Sequence, residues 1–205
     1  THTHSDHVSY YPLRVFAEYG RAVRLHRDCV DQLKDKHFNG FGFEDLKIKP
    51  FKSRRFTAGE FSIVPFELRH NPHYPTYGYR ICYKDKKIVI ATDFCEWDGV
   101  FEHFLGADFL FVESNHDLEL LRLYFNPNSR FHMPNPETAQ LLLNIVAESK
   151  KPPQTVMLGH ISSQRNEPAL ALGETAGAFE RAGRPIDFKL LAAPLREYSE
   201  VVKIL

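Results

Sequence analysis

A chain of 205 residues fits a single domain, 1–205, and is long enough to bury a sizeable core. Its 26 Lys+Arg balance 26 Asp+Glu at a sequence pI of about 7.1, which excludes a global field drawing it to nucleic acid or a membrane surface. Cys29, Cys82 and Cys95 are odd in number and widely spaced, so they read as free thiols in a reducing, cytoplasmic compartment and not as a disulfide framework.

The chain opens on Thr-His-Thr-His-Ser-Asp-His, which places His2, His4, Asp6 and His7 within one short turn. At strand spacing His2, His4 and Asp6 share a face, and His7 reaches it only if the backbone turns sharply there. Neutral imidazole and carboxylate are donors for zinc, iron or manganese. An appended histidine tag would be a plain run without downstream partners, whereas partners follow here. A ligand cluster at the first residue has no preceding strand to hold it. The expectation is therefore that the natural protein carries further N-terminal residues, and that the 205-residue piece alone is poorly soluble or forms a homo-oligomer through an exposed sheet.

Tyr10 to Tyr19 reads as a helix stopped by Gly20, and Ala22 to Leu25 as a short strand. Asp28 is placed as the N-cap of a helix running to about Lys36. Lys47 to Arg55 is the most basic stretch, either a solvated strand edge or a phosphate-contacting rim carried by Lys52, Arg54 and Arg55. Phe61 to Leu68 alternates as a strand that delivers His70. Tyr77 to Tyr83 and Lys87 to Ala91 pair across a polar turn, and Ile88 to Ala91 is apolar enough to be covered on both faces before Asp93. Asp98 begins a helix to about Leu105. Phe109 to Val112 is a strand ending in Glu113-Ser114-Asn115-His116-Asp117, with a helix through Leu118, Leu121 and Leu123. Pro136 to Ser149 and Asn166 to Ala182 read as helices around a strand, Thr155 to Leu158, that ends in Gly159-His160. Ile186 to Leu190 and Tyr198 to Ile204 are expected to close the chain as strands.

One arrangement recurs: an apolar strand, then a residue of ligand or acid type at its carboxyl end. It occurs at His70, Asp93, His116 and His160, and α/β folds gather such strand ends at one rim. Any one alone would be an ordinary turn histidine or capping aspartate. Four together with the opening cluster point to a metal site.

His-x-His-x-Asp-His followed by a separate His, an Asp and a Gly-His resembles the metallo-β-lactamase-fold hydrolases. Thr76-Tyr77-Gly78-Tyr79-Arg80, Thr92-Asp93, Glu113 to Asp117 and Gly159-His160-Ile161-Ser162 look most like the WalJ/YycJ-type exonuclease branch. They are also similar to phosphodiesterases of the tRNA-maturation and phosphonate-breakdown kinds. The resemblance implies an α/β fold, an αββα sandwich whose N-terminal strands are missing from this sequence, with two divalent metals at one edge. It implies that His2, His4 and His70 hold one metal, that Asp6, His7 and His160 hold the second, and that Asp93 bridges. Zinc leads, with manganese or iron as alternatives. Asn71-Pro72-His73-Tyr74-Pro75 departs from the family pattern, which makes His73 a rival to His70.

Two cations sharing a hydroxide suit hydrolysis of a phosphodiester, with DNA or RNA as the expected partner and no membrane. Asp6 is expected to orient the hydroxide. His116, which neither metal shell needs, is expected to protonate the leaving oxygen, the alternative being a helix-start residue bonded to Glu113 or Asp117. A thioesterase or lactonase on the same scaffold, or a non-catalytic metal-stabilised subunit, are the competing readings.

Overall fold

A computed structural model of the protein describes residues 1–35 and 42–205. Tyr10–Glu18 forms helix α1, and its chain leaves through Gly20 at φ +61°, the left-handed conformation that costs glycine least. Strand β1 (Ala22–His26) and strand β2 (Lys47–Phe51) pair in parallel as a two-stranded sheet, with the short helix α2 (Val30–Leu33) between them. Leu13, Leu33 and Leu46 are the buried centre of this layer.

Asp28 is not a helix cap. It lies inside a 3-10 turn, Arg27–Cys29, and His26 stands at the cap position, its ring accepting the Asp28 amide at 3.3 Å. The Asp28 carboxylate is taken up by the Tyr77 hydroxyl, which donates to it at 2.9 Å. The expected end of that helix, Lys36, lies outside the described residues.

The main sheet has seven strands in the order β3 (Phe56–Ala58), β4 (Phe61–Leu68), β5 (Thr76–Tyr83), β6 (Lys86–Ala91), β7 (Phe109–Glu113), β8 (Thr155–Gly159) and β9 (Lys189–Ala192). The first four are antiparallel hairpin neighbours, and β6 to β9 run parallel. Parallel neighbours need crossovers. These are a 3-10 helix, Asp98–His103, then α3 (Leu118–Leu123) with α4 (Asn135–Glu148), then α5 (Pro168–Arg181). Their apolar faces close over Val89, Ala91, Leu110, Val112, Val156 and Leu158 to make the core.

His26 stacks on Tyr77 at 3.7 Å, which seats the two-stranded layer against β5. Gly78 is paired with Phe66, whose ring would lie 2.5 Å from any added Cβ, so only glycine fits that close approach.

Three expected elements differ. Val89 and Ala91 are fully buried while Ile88 and Ile90 are half-buried, so β6 is sealed on one face and partly open on the other. The strand expected over Ile186 to Leu190 is shifted towards the C-terminus as β9. Phe188 is spent on packing against the Phe179 ring, and ladder pairing begins at Lys189 opposite Thr155. Tyr198 to Ile204 is not a strand. It has no ladder partner among the described residues, and Tyr198 and Val201 stand in solvent, while Gln154 holds the Leu205 backbone through two hydrogen bonds.

Strand direction now fixes where chemistry can gather. β4 is antiparallel to β5 and β5 to β6, so β4 runs with β6, β7 and β8. Their carboxyl ends share one edge. At that edge the Tyr77 amide donates to the Thr1 carbonyl at 3.1 Å, which brings the opening histidine cluster to the same rim.

Candidate metal centre

A tight turn over residues 5–7 organises the opening cluster. The amides of His7 and Val8 both donate to the His4 carbonyl, at 3.0 and 2.9 Å, and the chain reverses so that His7 faces the same way as His2 and His4. Thr3 points the other way, its hydroxyl donating to Gln32 Oε1 at 2.7 Å. The Thr1 hydroxyl lies 3.0 Å from His2 Nδ1 and 3.1 Å from His7 Nδ1, which leaves both Nε2 atoms for the centre.

Donor atoms of His2, His4, His70 and Asp93 lie within 4.8 Å of one another. His2 Nε2 is 2.6 Å from His4 Nδ1 and 3.9 Å from Asp93 Oδ1. His70 turns Nδ1 to the Phe131 carbonyl at 3.0 Å, so its buried Nε2 faces inward with no hydrogen-bond partner among the described residues. Burial pushes His2 down to about 2 and lowers His70, so both rings are neutral and keep the lone pair a metal needs. His73 is exposed and stands outside the donor groups found among the described residues, which leaves the ligand position to His70.

A second group forms from Asp6, His7 and His160. His160 Nε2 is 3.5 Å from Asp6 Oδ2 and 3.5 Å from Asp93 Oδ1, and His7 Nε2 is 3.6 Å from Asp6 Oδ2 and 3.1 Å from Asp93 Oδ2. Donors about 2.1 Å from a tetrahedral cation sit roughly 3.4 Å apart, so these separations fit a metal. Asp93 faces both groups. Its two oxygens are buried and accept no well-aligned hydrogen bond among the described residues, the condition expected of a bridging ligand.

Charge gives the same answer. Burial alone would raise the Asp93 carboxyl, but His7, His160 and His2 outweigh it and hold the group ionised. Asp6 is lowered chiefly by its hydrogen bond with His160. Burial works to lower His160, yet Asp6, Glu113 and Asp93 overcome it and push the ring up to about 10. Three carboxylates thus hold a proton where a divalent cation would supply the same positive charge.

A third group, Asp93, Glu113, His132 and His160, also satisfies donor distances. It is already hydrogen-bonded: Glu113 Oε1 accepts Nδ1–H of His132 and of His160, both at 2.7 Å, and Oε2 accepts the Phe94 amide at 2.9 Å. Burial would raise Glu113, and the two imidazoles more than offset that, keeping it a carboxylate. This group is therefore a support that orients His160 Nε2 to the metal side.

Backbone strain is concentrated at the same place. Asp93 at φ +64° and His160 at φ +49° are both left-handed, conformations that non-glycine residues hold only where the surroundings fix them. Gly159 before His160 has no room for a Cβ, which would meet the Phe111 ring at 2.3 Å.

His132 and Glu113 were missed as a pair. Glu113 is the true last residue of β7, so the strand-end rule that found Asp93 should have chosen it over His116. His116 is 3% exposed, its backbone bridges Pro134, and it does not line the cleft. The capping role at α3 falls to Asp117, which accepts the Glu119 and Leu120 amides at 2.9 Å. His132 does line the cleft, a cavity of about 660 Å³ shared with Asp6, His7, Asp93 and His160. The basic stretch is divided between β2 and an exposed loop, and Lys52, Arg54 and Arg55 do not line this cleft. All three cysteines are free.

Exodeoxyribonuclease WalJ of Streptococcus pneumoniae is 26% identical over 218 residues, spanning 96% of this chain and 78% of that protein. The metallo-beta-lactamase fold protein YhfI from Bacillus subtilis superposes with a TM-score of 0.64 at 17% identity, over 89% of this chain and 67% of that one. A diphosphatase from the PhnP family superposes with a TM-score of 0.53 at 16% identity, over 83% of this chain and 55% of that one. At these identities the two structures speak for the metallo-β-lactamase fold alone. Residues 1–161, most of the chain and every donor residue named above, match the family model described as the beta-lactamase superfamily domain, and the chain belongs to that superfamily of hydrolases.

Proposed function

We propose that this chain is a two-metal phosphodiesterase that cuts nucleic acid, with His132 as the acid and Asp6 as the residue that orients the attacking water. The observation that carries this reading is the His132–Glu113 pair: His132 lines the cleft beside Asp93, which lies within 3.9 Å of His2 Nε2, His7 Nε2 and His160 Nε2. His2, His4 and His70 would hold one cation, Asp6, His7 and His160 the other, and Asp93 both. The histidine-rich donor set favours zinc, with manganese or iron as alternatives. When bound, the two cations bring the ionisation of water towards neutral pH and offset charge on the phosphate.

The chain's own residues do the rest. Asp6 lines the cleft and offers a carboxylate oxygen to the incoming water. His132 gives Nδ1–H to Glu113, so Nε2 is the atom that carries the transferable proton. As water oxygen bonds to phosphorus and the ester oxygen departs, that proton passes to the leaving oxygen. A leaving alkoxide needs such an acid. The name of the Streptococcus pneumoniae relative supports DNA as substrate, and the free thiols support a reducing, cytoplasmic setting. No helix among the described residues is long and apolar enough to cross a membrane.

The test is a substrate panel with added zinc or manganese: bis(p-nitrophenyl) phosphate, single-stranded DNA, a thioester and a lactone. Cleavage of the diester and of DNA, lost on chelation, is expected. Turnover of the thioester or lactone without the diester would replace this reading with an acyl hydrolase, and no turnover of any of them would leave a metal-stabilised subunit.

A further inference from the structure

We infer that Tyr124 and Phe125 form a stacking platform for a base of single-stranded nucleic acid whose phosphate lies against Arg165, an inference that rests on the phosphodiesterase reading. The last turn of α3 closes with the Tyr124 amide donating to the Leu120 carbonyl at 2.8 Å. Two aromatic rings stand there in solvent, Tyr124 59% and Phe125 78% exposed, and neither joins the apolar core. The next residue, Asn126, already lines the cleft. Successive Cα atoms are about 3.8 Å apart, so the Phe125 backbone adjoins the cleft lining at Asn126, while the two rings stand outside that lining. The turn beneath is fixed, with Asn126 Oδ1 accepting the Asn128 amide at 2.9 Å, so the rings are presented on an ordered support.

Ser162, Ser163, Arg165 and Asn166 supply further cleft lining. Arg165 is anchored through its backbone: its amide donates to Ser162 Oγ at 3.3 Å and its carbonyl accepts the Asp117 amide at 2.8 Å. One guanidinium nitrogen donates to Gln164 Oε1 at 3.0 Å, but Nε is buried with no partner among the described residues. Nε itself is closed to solvent, so an anion in the cleft would meet the terminal guanidinium nitrogens, whose planar fork suits a phosphate. Among the described residues, the acidic side chains lining the cleft are Asp6 and Asp93, and both are assigned to the metal groups.

Away from the metal groups, the described cleft lining therefore offers one arginine with hydroxyl and amide donors, and the aromatic pair adjoins it next to Asn126. That combination fits one phosphate and one base. Every base has a π-face, so such a platform binds strands without reading their sequence. With so few cations engaged, the site suits a strand end better than a long duplex, which matches the neutral charge of the chain.

The experiment measures binding of a short fluorescent phosphorothioate oligothymidylate, and of the same strand with abasic terminal positions, to the full metal-loaded chain. Replacing both rings (Tyr124→Ala with Phe125→Ala) should weaken binding of the base-bearing strand by roughly 5- to 100-fold. The same variant should lose little further on the abasic strand, because the interaction is already gone. Arg165→Ala should flatten the salt dependence of affinity by about 0.7 in the log–log slope, one phosphate contact on a single strand. Thermal melting checks that the exposed substitutions leave the fold intact.

Unchanged affinity, or equal losses on base-bearing and abasic strands, overturns the platform. So does a fall in sedimentation mass when the rings are removed, which would make the patch a contact between copies. Cleavage of the small diester by the unaltered chain is scored separately. Its failure would sink the hydrolytic reading while the binding comparison still decides the platform.

Discussion

Asp93→Asn is expected to lower bound metal from about two equivalents to below one and to cut hydrolysis by on the order of 10⁴-fold or more, the loss typical when one member of a concerted set is removed. Asn keeps the side-chain shape and tolerates the left-handed backbone that Asp93 holds at φ +64°, so the fold should survive. The charge does not survive. Asp93 lies within reach of His2, His7 and His160 at once, and among the described residues no other carboxylate is grouped with His2, His4 and His70. Elemental analysis beside a melting curve separates the two effects. A folded Asp93→Asn protein with full metal occupancy would sink the bridging assignment.

His132→Ala should keep both metals and slow cleavage of DNA by roughly 10²–10⁴-fold, the usual contribution of a general acid. A diester with a nitrophenolate leaving group needs no proton and should suffer much less. Glu113→Gln should reproduce part of the leaving-group effect and also loosen metal binding, because the same oxygen orients His160. His116→Ala should show no dependence on the leaving group, since His116 is buried away from the cleft. Equal losses on both substrates for His132→Ala would deny it the acid role.

Much of this was legible because the chemistry sits at strand ends. Apolar runs such as Phe109 to Val112 announce buried parallel strands, and a polar residue just beyond such a run must lie at the sheet rim. That logic, with the His2 to His7 spacing, points to seven residues of ligand type, and the fold gathers them at one rim. It went wrong at His116, because the strand runs on to Glu113 and the segment after it turns inward to bridge Pro134. His132 was hidden for another reason. It follows a 3-10 turn, Pro127–Phe131, with no strand before it, and only the fold brings it to Glu113. The signal available was its place at the threshold of α4, next to the fully buried Met133. The false terminal strand had the opposite origin. Tyr198 to Ile204 alternates well enough, but alternation makes a strand only where a neighbouring ladder and a covered face exist. The basic stretch leaves two readings open, a solvated edge or a phosphate-contacting rim, because composition alone does not separate exposed lysines from lysines that meet a ligand.

The proposed chemistry rests on two cations that one buried aspartate would hold. Anomalous diffraction at the metal edge, from crystals grown with zinc, tests this directly. The expected result is two peaks about 3.5–4 Å apart. One should lie among His2, His4 and His70, the other among Asp6, His7 and His160, with Asp93 reaching both. A single peak at Glu113 and His132, or no peak beside Asp93, would contradict it.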